Sequence, residues 1–279
     1  MSSSALVSAE WLAGHLRDPN VRVLDASFYL PTQNRDARAE YLERHIPGAI
    51  FFDIDEIADK RSGLPHMMPS AAQFAEQVGR LGIGSDDRIV VYDAEKFLAS
   101  ARAWWMFRMA GHQDVAVLDG GLAAWKAAGL PLEAGPVEAQ ARQFRAGQGL
   151  ALLFGLDRMR QNVTDRSVQV VDARSSGRFH GREPEPRAGL RAGHIPGSLN
   201  LPFGELIAAD GRLKPVDQLR QRIDQSGLDL HRPIVATCGS GVSAAVLALA
   251  AHEIGRDDVA IYDGSWSEWG ALPDTPVET

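Results

Sequence analysis

Short apolar runs punctuated by polar turns recur along the chain. Val21-Arg-Val-Leu-Asp25, Ile89-Val-Val-Tyr-Asp93 and Val115-Ala-Val-Leu-Asp119 are β-branched stretches that each end at an aspartate. Apolar residues crowded together, rather than set on alternate positions, suit strands buried on both faces of a parallel sheet. Between such runs the apolar spacing lengthens to that of a helix, over Ala71 to Leu81, Ala99 to Ala110 and Val242 to Ile254. Strands alternating with helices predict an α/β fold built on open, mostly parallel sheets flanked by helices. In such sheets a ligand binds beyond the carboxyl ends of the strands.

The pattern occurs twice. Val168-Gln-Val-Val-Asp172-Ala173 repeats Val21 to Ala26, and His194-Ile-Pro-Gly197 repeats His45-Ile-Pro-Gly48. Ile234-Val-Ala-Thr-Cys238 repeats Ile89 to Asp93, and Val259-Ala-Ile-Tyr-Asp263-Gly-Ser-Trp266 repeats Val115 to Gly121. Four ordered matches at offsets of 144 to 149 residues predict two homologous domains. The expected boundaries are 1–135 for the first domain, 136–149 for a Gly/Pro/Ala-rich linker and 150–279 for the second.

Composition narrows the chemistry. The chain has 279 residues and a net charge of −7, with no block of like charges. An acidic chain lacks the electrostatic footprint of a nucleic-acid binder. The longest apolar run, Ala244 to Ala251, is far below the ~20 residues of a membrane span. Met1 to Leu12 has neither the basic region nor the apolar stretch of a signal peptide, so a cytoplasmic protein is expected. One cysteine, Cys238, excludes an intramolecular disulfide and any zinc site of several thiolates. The eight histidines show no metal-ligand spacing, and no Gly-x-Gly-x-x-Gly follows a strand, so no metal or organic cofactor is expected.

That one cysteine carries the strongest signal. Ile234 to Ala244 reads as strand, Gly-rich loop, helix, with Cys238 at the turn and Gly239 and Gly241 relaxing the backbone behind it. Such a loop turns its N–H groups inward as an anion nest, and the helix adds its positive end. Both favour thiolate over thiol. A buried inert cysteine is the ordinary alternative, but placement at a strand end before glycines and a helix argues for reactivity. The loop lacks the lysine of a phosphate-binding Walker motif and the arginine of a cysteine phosphatase.

The doubled Asp-Ala, His-Ile-Pro-Gly and Asp-Gly-Gly/Ser blocks resemble the tandem-domain rhodanese family of sulfurtransferases, over about Leu6 to Trp269. The resemblance implies two tandem rhodanese-like domains, the second catalytic and the first, with Asp93 in place of the cysteine, not. Cys238-Gly239-Ser240-Gly241-Val242-Ser243 is similar to the mercaptopyruvate sulfurtransferase branch; the thiosulfate branch carries Cys-Arg-Lys-Gly-Val-Thr. An uncharged loop suits a monoanionic donor better than a dianion.

The resemblance also implies site residues. Arg178 and Arg187 resemble the branch's substrate-binding arginines, and a 2-oxo acid needs such a grip on its carboxylate. Gly239, Gly241, Val242 and Ser243 complete the expected binding loop. Asp55 and His66 of the first domain match family residues that approach Ser240, so this trio is expected to orient a proton donor or polarise the ketone. The ordinary alternative for Asp55 is the cap of a helix near Glu56. His45 and His194 are expected to shape turns, and Trp104 and Trp105 to fill core or interface.

The expected function is sulfur transfer from 3-mercaptopyruvate through a Cys238 persulfide to a thiol, a thioredoxin-like dithiol or cyanide. The competing readings are a thiosulfate:cyanide rhodanese and a non-catalytic sulfur carrier or interaction module.

Overall fold

The structure, a computed structural model, describes residues 4–149 and 152–279, so the boundary expected at residue 150 lies outside the described residues. The first half holds strands β1 (Leu6–Val7), β2 (Val21–Asp25), β3 (Ile50–Phe51), β4 (Arg88–Tyr92) and β5 (Val115–Leu118). Its helices are α1 (Ala9–His15), α2 (Ala37–Glu43), α3 (Ala71–Arg80), α4 (Ser100–Met109) and α5 (Gly121–Ala127). The second half repeats them as β6 (Leu153–Phe154), β7 (Gln169–Asp172), β8 (Leu199–Asn200), β9 (Ile234–Thr237) and β10 (Ala260–Tyr262). Its helices are α6 (Leu156–Asp165), α7 (Ser176–Phe179), α8 (Val216–Gln225), α9 (Ala244–Glu253) and α10 (Ser265–Trp269).

The two sheets have the same order, β1-β5-β4-β2-β3 and β6-β10-β9-β7-β8, and every pairing is parallel. The apolar runs became the central strands: β4, β5, β7 and β9 are buried almost throughout, as strands covered by helices on both faces must be. From β7 the chain crosses to one side, to β8, and from β9 to the other, to β10. The topological switch point therefore lies beside the end of β9, where Cys238 follows.

The three helices read from the apolar spacing are present as α3, α4 and α9, each within two residues of expectation. Ser70 and Gln73 form a capping box that fixes the start of α3. α4 and α9 are buried on almost every side and pack on each other across the two halves. Trp104 and Trp105 lie in that packing, as core. His45 stacks on Tyr41 and His194 on Phe179, and each imidazole Nδ1 meets that partner's carbonyl at 2.8 Å. The doubled histidines are thus turn-shaping residues in both halves.

Residues 134–149 contain no helix or strand but lie along the first domain. Arg142 donates its N–H to Gly79 and pairs with Asp87, while Phe144 enters the aromatic cluster of Phe74 and Phe107.

Candidate active site

Cys238 sits at the end of β9 with 2% of its surface exposed. Ser265 fixes its backbone. The Ser265 hydroxyl donates to the Tyr262 carbonyl at 2.7 Å and accepts the Cys238 N–H at 3.1 Å. The Cys238 and Gly239 carbonyls are taken by the N–H groups of Trp266 and Ser267 at 3.0 and 2.8 Å. Ahead of the sulfur the loop is different. Among the described residues, no protein group accepts the backbone N–H of Gly239, Ser240, Gly241, Val242 or Ser243.

The first domain shows what such a loop holds. Asp93 occupies the equivalent strand end, and its buried carboxylate accepts four N–H groups from the following loop. Glu95 and Phe97 bind one oxygen at 2.9 and 3.2 Å; Ala99 and Ser100 bind the other at 3.1 and 2.8 Å. Burial pushes the Asp93 carboxyl above its ordinary range, against the pull of these donors. The first domain thus fills its loop with a carboxyl of its own. In the second domain a cysteine takes the place of that carboxyl, and the N–H groups of Gly239 to Ser243 have no protein acceptor among the described residues.

Two glycines serve the loop differently. Gly241 has φ +76, the left-handed region expected of it. Gly239 does not have a positive φ; a Cβ there would lie 3.0 Å from the Arg178 guanidinium. Glycine here leaves room for that guanidinium and serves no unusual backbone.

Arg178 and Arg187 meet Cys238, Gly239, Ser240, Val242 and Ser243 around one cavity of about 90 Å3. Phe28, Leu30 and Leu98 of the first domain close it, together with Pro186 and Phe203. A space this small takes a ligand of a few heavy atoms, well below the ~300 Å3 and more of a drug-sized site.

The arginines are not equivalent. Arg178 is held by Glu185, through Nη2 at 2.6 Å and Nε at 3.3 Å. Glu185 also takes Arg174, which in turn pairs with Asp172 and lies over Trp266. The stretch between the two arginines is therefore anchored: the side chains of Glu185 and Arg174 are buried. Among the described residues Arg187 meets no carboxylate, and its Nη2 lies 3.2 Å from His66 Nε2. Burial pushes Arg187 below the ordinary arginine range, and the charge of Cys238 is the first influence pulling it back.

His66 Nδ1 lies 2.9 Å from Asp55 Oδ1. Asp55 is held below the usual carboxylate range, first by His66, with burial opposing and Lys60 and Arg187 adding to it. A guanidinium can only donate, so His66 Nε2 accepts from Arg187 and the ring proton sits on Nδ1, close to Asp55 but not aimed at it. Two of the three expected partners therefore meet. Ser240 lines the same cavity, but no hydrogen bond among the described residues joins it to His66. No helix begins near Glu56: Asp53, not Asp55, binds the N–H groups of residues 55 and 56 in a turn.

Sequence reasoning did not single out Ser265, Glu185, Arg174 or Arg102. Ser265 had one visible signal, the change from Asp119-Gly-Gly to Asp263-Gly-Ser between the repeats.

A rhodanese-like domain model matches residues 8–128 and again 156–272. The chain belongs to the rhodanese family. The 3-mercaptopyruvate sulfurtransferase of Homo sapiens is 48% identical to this rhodanese over 271 residues, covering 95% of this chain and 91% of that one. The thiosulfate sulfurtransferase of Bos taurus is 46% identical over 282 residues, covering 98% and 95%. SseA from Escherichia coli, described as a 3-mercaptopyruvate sulfotransferase, superposes with a TM-score of 0.87 at 40% identity, covering 95% of this chain and all of that one. The repeats predicted two homologous domains and the resemblance made them rhodanese-like, and both are present.

Proposed function

We propose that this rhodanese is a 3-mercaptopyruvate sulfurtransferase. Relatives named for either donor are similarly close, so overall likeness does not choose between donors. The chemistry of the site does. The observation that carries the reading is an uncharged loop around Cys238 whose N–H groups have no protein acceptor among the described residues, where the first domain's counterpart binds the Asp93 carboxyl.

The donor's carboxylate lies against Arg187 and the free Nη1 of Arg178, and its sulfur faces Cys238. The Cys238 thiolate attacks that sulfur. An S–S bond forms, the C–S bond breaks, and its electron pair leaves on carbon as the enolate of pyruvate, which takes a proton. Cys238 keeps the sulfur as a persulfide, stabilised by the N–H groups of Gly239 to Ser243 and the Ser240 hydroxyl. His66 and Asp55 hold Arg187 in place. A thiol, a thioredoxin-like dithiol or cyanide then takes the outer sulfur and restores the thiolate, giving ping-pong kinetics. A cysteine that alternates between thiol and persulfide suits a reducing compartment, and the cytoplasm is our placement.

The test compares pyruvate release from 3-mercaptopyruvate with thiocyanate formation from thiosulfate and cyanide. The expected kcat/KM favours mercaptopyruvate, and donor treatment adds one sulfur to the wild-type mass. Cys238→Ser abolishes both, because a neutral hydroxyl does not accept sulfur. A ratio favouring thiosulfate assigns the other donor. Absence of turnover and persulfide with every donor leaves a docking module.

A further inference from the structure

The two halves touch each other through a repeated contact. Asp119, after β5, accepts the N–H of Leu213 from the second domain at 3.0 Å. Its counterpart Asp263, after β10, accepts the N–H of Met68 from the first domain at 2.6 Å. The turns that supply these groups also match. The carbonyl just before each bound N–H accepts a local bond, Ala208 to Arg212 at 2.8 Å and Asp59 to Met67 at 2.9 Å. Two residues before each bound N–H the backbone enters the left-handed region. In one turn that residue is Gly211, with φ +85; in the other it is His66, with φ +59.

The contact beside Cys238 thus departs from its twin in two ways. A histidine stands where the fold accepts glycine, in a conformation that non-glycine residues avoid. In addition, an arginine enters. Arg102, on α4, is fully buried. Its Nη1 lies 2.7 Å from Asp263 Oδ1 and 3.3 Å from the Gly241 carbonyl, and its Nη2 donates to the His66 carbonyl at 2.6 Å. The corresponding residue of α9 is Val246, and the Asp119 contact forms with no arginine from that helix.

We propose that Arg102 and Asp263 are positioning residues that clamp the His66 turn and so aim its imidazole at Arg187. The clamp closes on three residues. Arg102 holds the carbonyl of His66, Asp263 holds the N–H of Met68, and the two hold each other across the domain boundary. The same guanidinium reaches the cysteine loop at Gly241, so loop and histidine share one anchor. The turn itself does not need the arginine, as the Asp119 contact shows. What the arginine secures is a histidine in a backbone conformation it would otherwise leave. This inference rests on the reading that Arg187 binds the donor.

Arg102→Lys tests it, because lysine keeps a charge for Asp263 but lacks the planar fork that reaches both carbonyls. The double variant Arg102→Leu with Asp263→Asn removes both charges together, so no lone buried charge remains to unfold the chain. Each is made in the wild-type and in a His66→Ala background, with thermal melts as folding controls. With mercaptopyruvate, the expected fall in kcat/KM is on the order of 10-fold in the wild-type background, carried mainly by KM, and much smaller when His66 is already gone. Equal falls in both backgrounds, or no fall in the first, overturn the clamp. Wild-type inactivity toward mercaptopyruvate instead overturns the donor assignment, so the two failures are distinct.

Discussion

At the scale of single residues, the site separates side chains that hold themselves from side chains left for a ligand. Arg178 is tethered to Glu185, whereas among the described residues Arg187 meets an imidazole and no carboxylate. Removing either loses a charge-assisted hydrogen bond to the donor carboxylate, worth ~1.5–3 kcal/mol, so kcat/KM for mercaptopyruvate should fall roughly 10–200-fold. Stability should separate them. Arg187→Ala removes a side chain with no carboxylate partner and should leave the denaturation midpoint in place. Arg178→Ala leaves buried Glu185 with Arg174 alone and should cost about 1–3 kcal/mol. Enzyme kinetics and urea titration of both variants check this. Unchanged kinetics in both would remove the arginines from donor binding. The sequence exposed Cys238 through its place between strand, Gly-rich loop and helix, and the resemblance to the rhodanese family pointed to both arginines, Asp55 and His66. It hid Glu185 and Arg102. A lone glutamate between prolines, or an arginine beside two tryptophans, looks like surface or core until distances exist.

At the scale of elements, the repeat makes each domain a control for the other. The strands, the central helices and the His-Ile-Pro-Gly turns were legible because apolar spacing and duplicated motifs are local properties. The left-handed residues were not. Ser265 has φ +48 where its counterpart is Gly121, and His66 has φ +59 where its counterpart is Gly211. Both non-glycines lie on the catalytic side, each strained by ~1–3 kcal/mol, and both hold groups at the cysteine or the donor cavity. The ends of β2 and β7 differ in charge instead. Asp25 and Asp172 each accept the N–H of the residue two ahead at 2.9 Å, but that residue is Ser27 in one case and Arg174 in the other. Without a guanidinium, burial pushes the Asp25 carboxyl above its ordinary range, against hydrogen bonds from Ser27. A raised carboxyl binds its proton more tightly in the folded than in the unfolded chain. Its stabilising contribution is therefore full below the unfolded value of ~3.9 and is lost as pH climbs through the folded value. Asp25→Asn has no such loss. Relative to wild type, the variant should gain stability between about pH 4 and pH 7, measured by denaturant unfolding at both. A difference that is flat with pH, or that moves toward wild type, would sink this account of Asp25.

At the scale of the whole molecule, the halves do not resemble two independent domains on a string. Each sheet has an outer core of its own, but the inner core is one cluster drawn from both halves. It takes Phe52, Phe74, Trp105 and Phe107 from the first and Leu201, Val246, Leu249 and Ile261 from the second. α9 is apolar along almost its whole length and buried against α4, so a helix with no polar face would meet water if the halves parted. Arg108 bonds across the boundary to His252 and Asp257. The cavity depends on the same union, since Phe28, Leu30 and Leu98 wall it and His66 reaches into the second domain's arginine from the first. The duplicated sequence revealed two domains, but it could not reveal that their shared face is the larger core, because strand and helix periodicity looks the same whether a face meets a partner domain or its own. Residues 152–279 produced alone contain the cysteine, its loop and both arginines, yet should bind a hydrophobic dye, melt without a sharp transition and release no pyruvate from mercaptopyruvate. Supplying residues 1–149 as a separate chain should restore the transition and the turnover together, because the interface, and not the covalent linker, completes both core and cavity. If the isolated second half melts cooperatively and turns over mercaptopyruvate as the full chain does, the first domain is not part of the site.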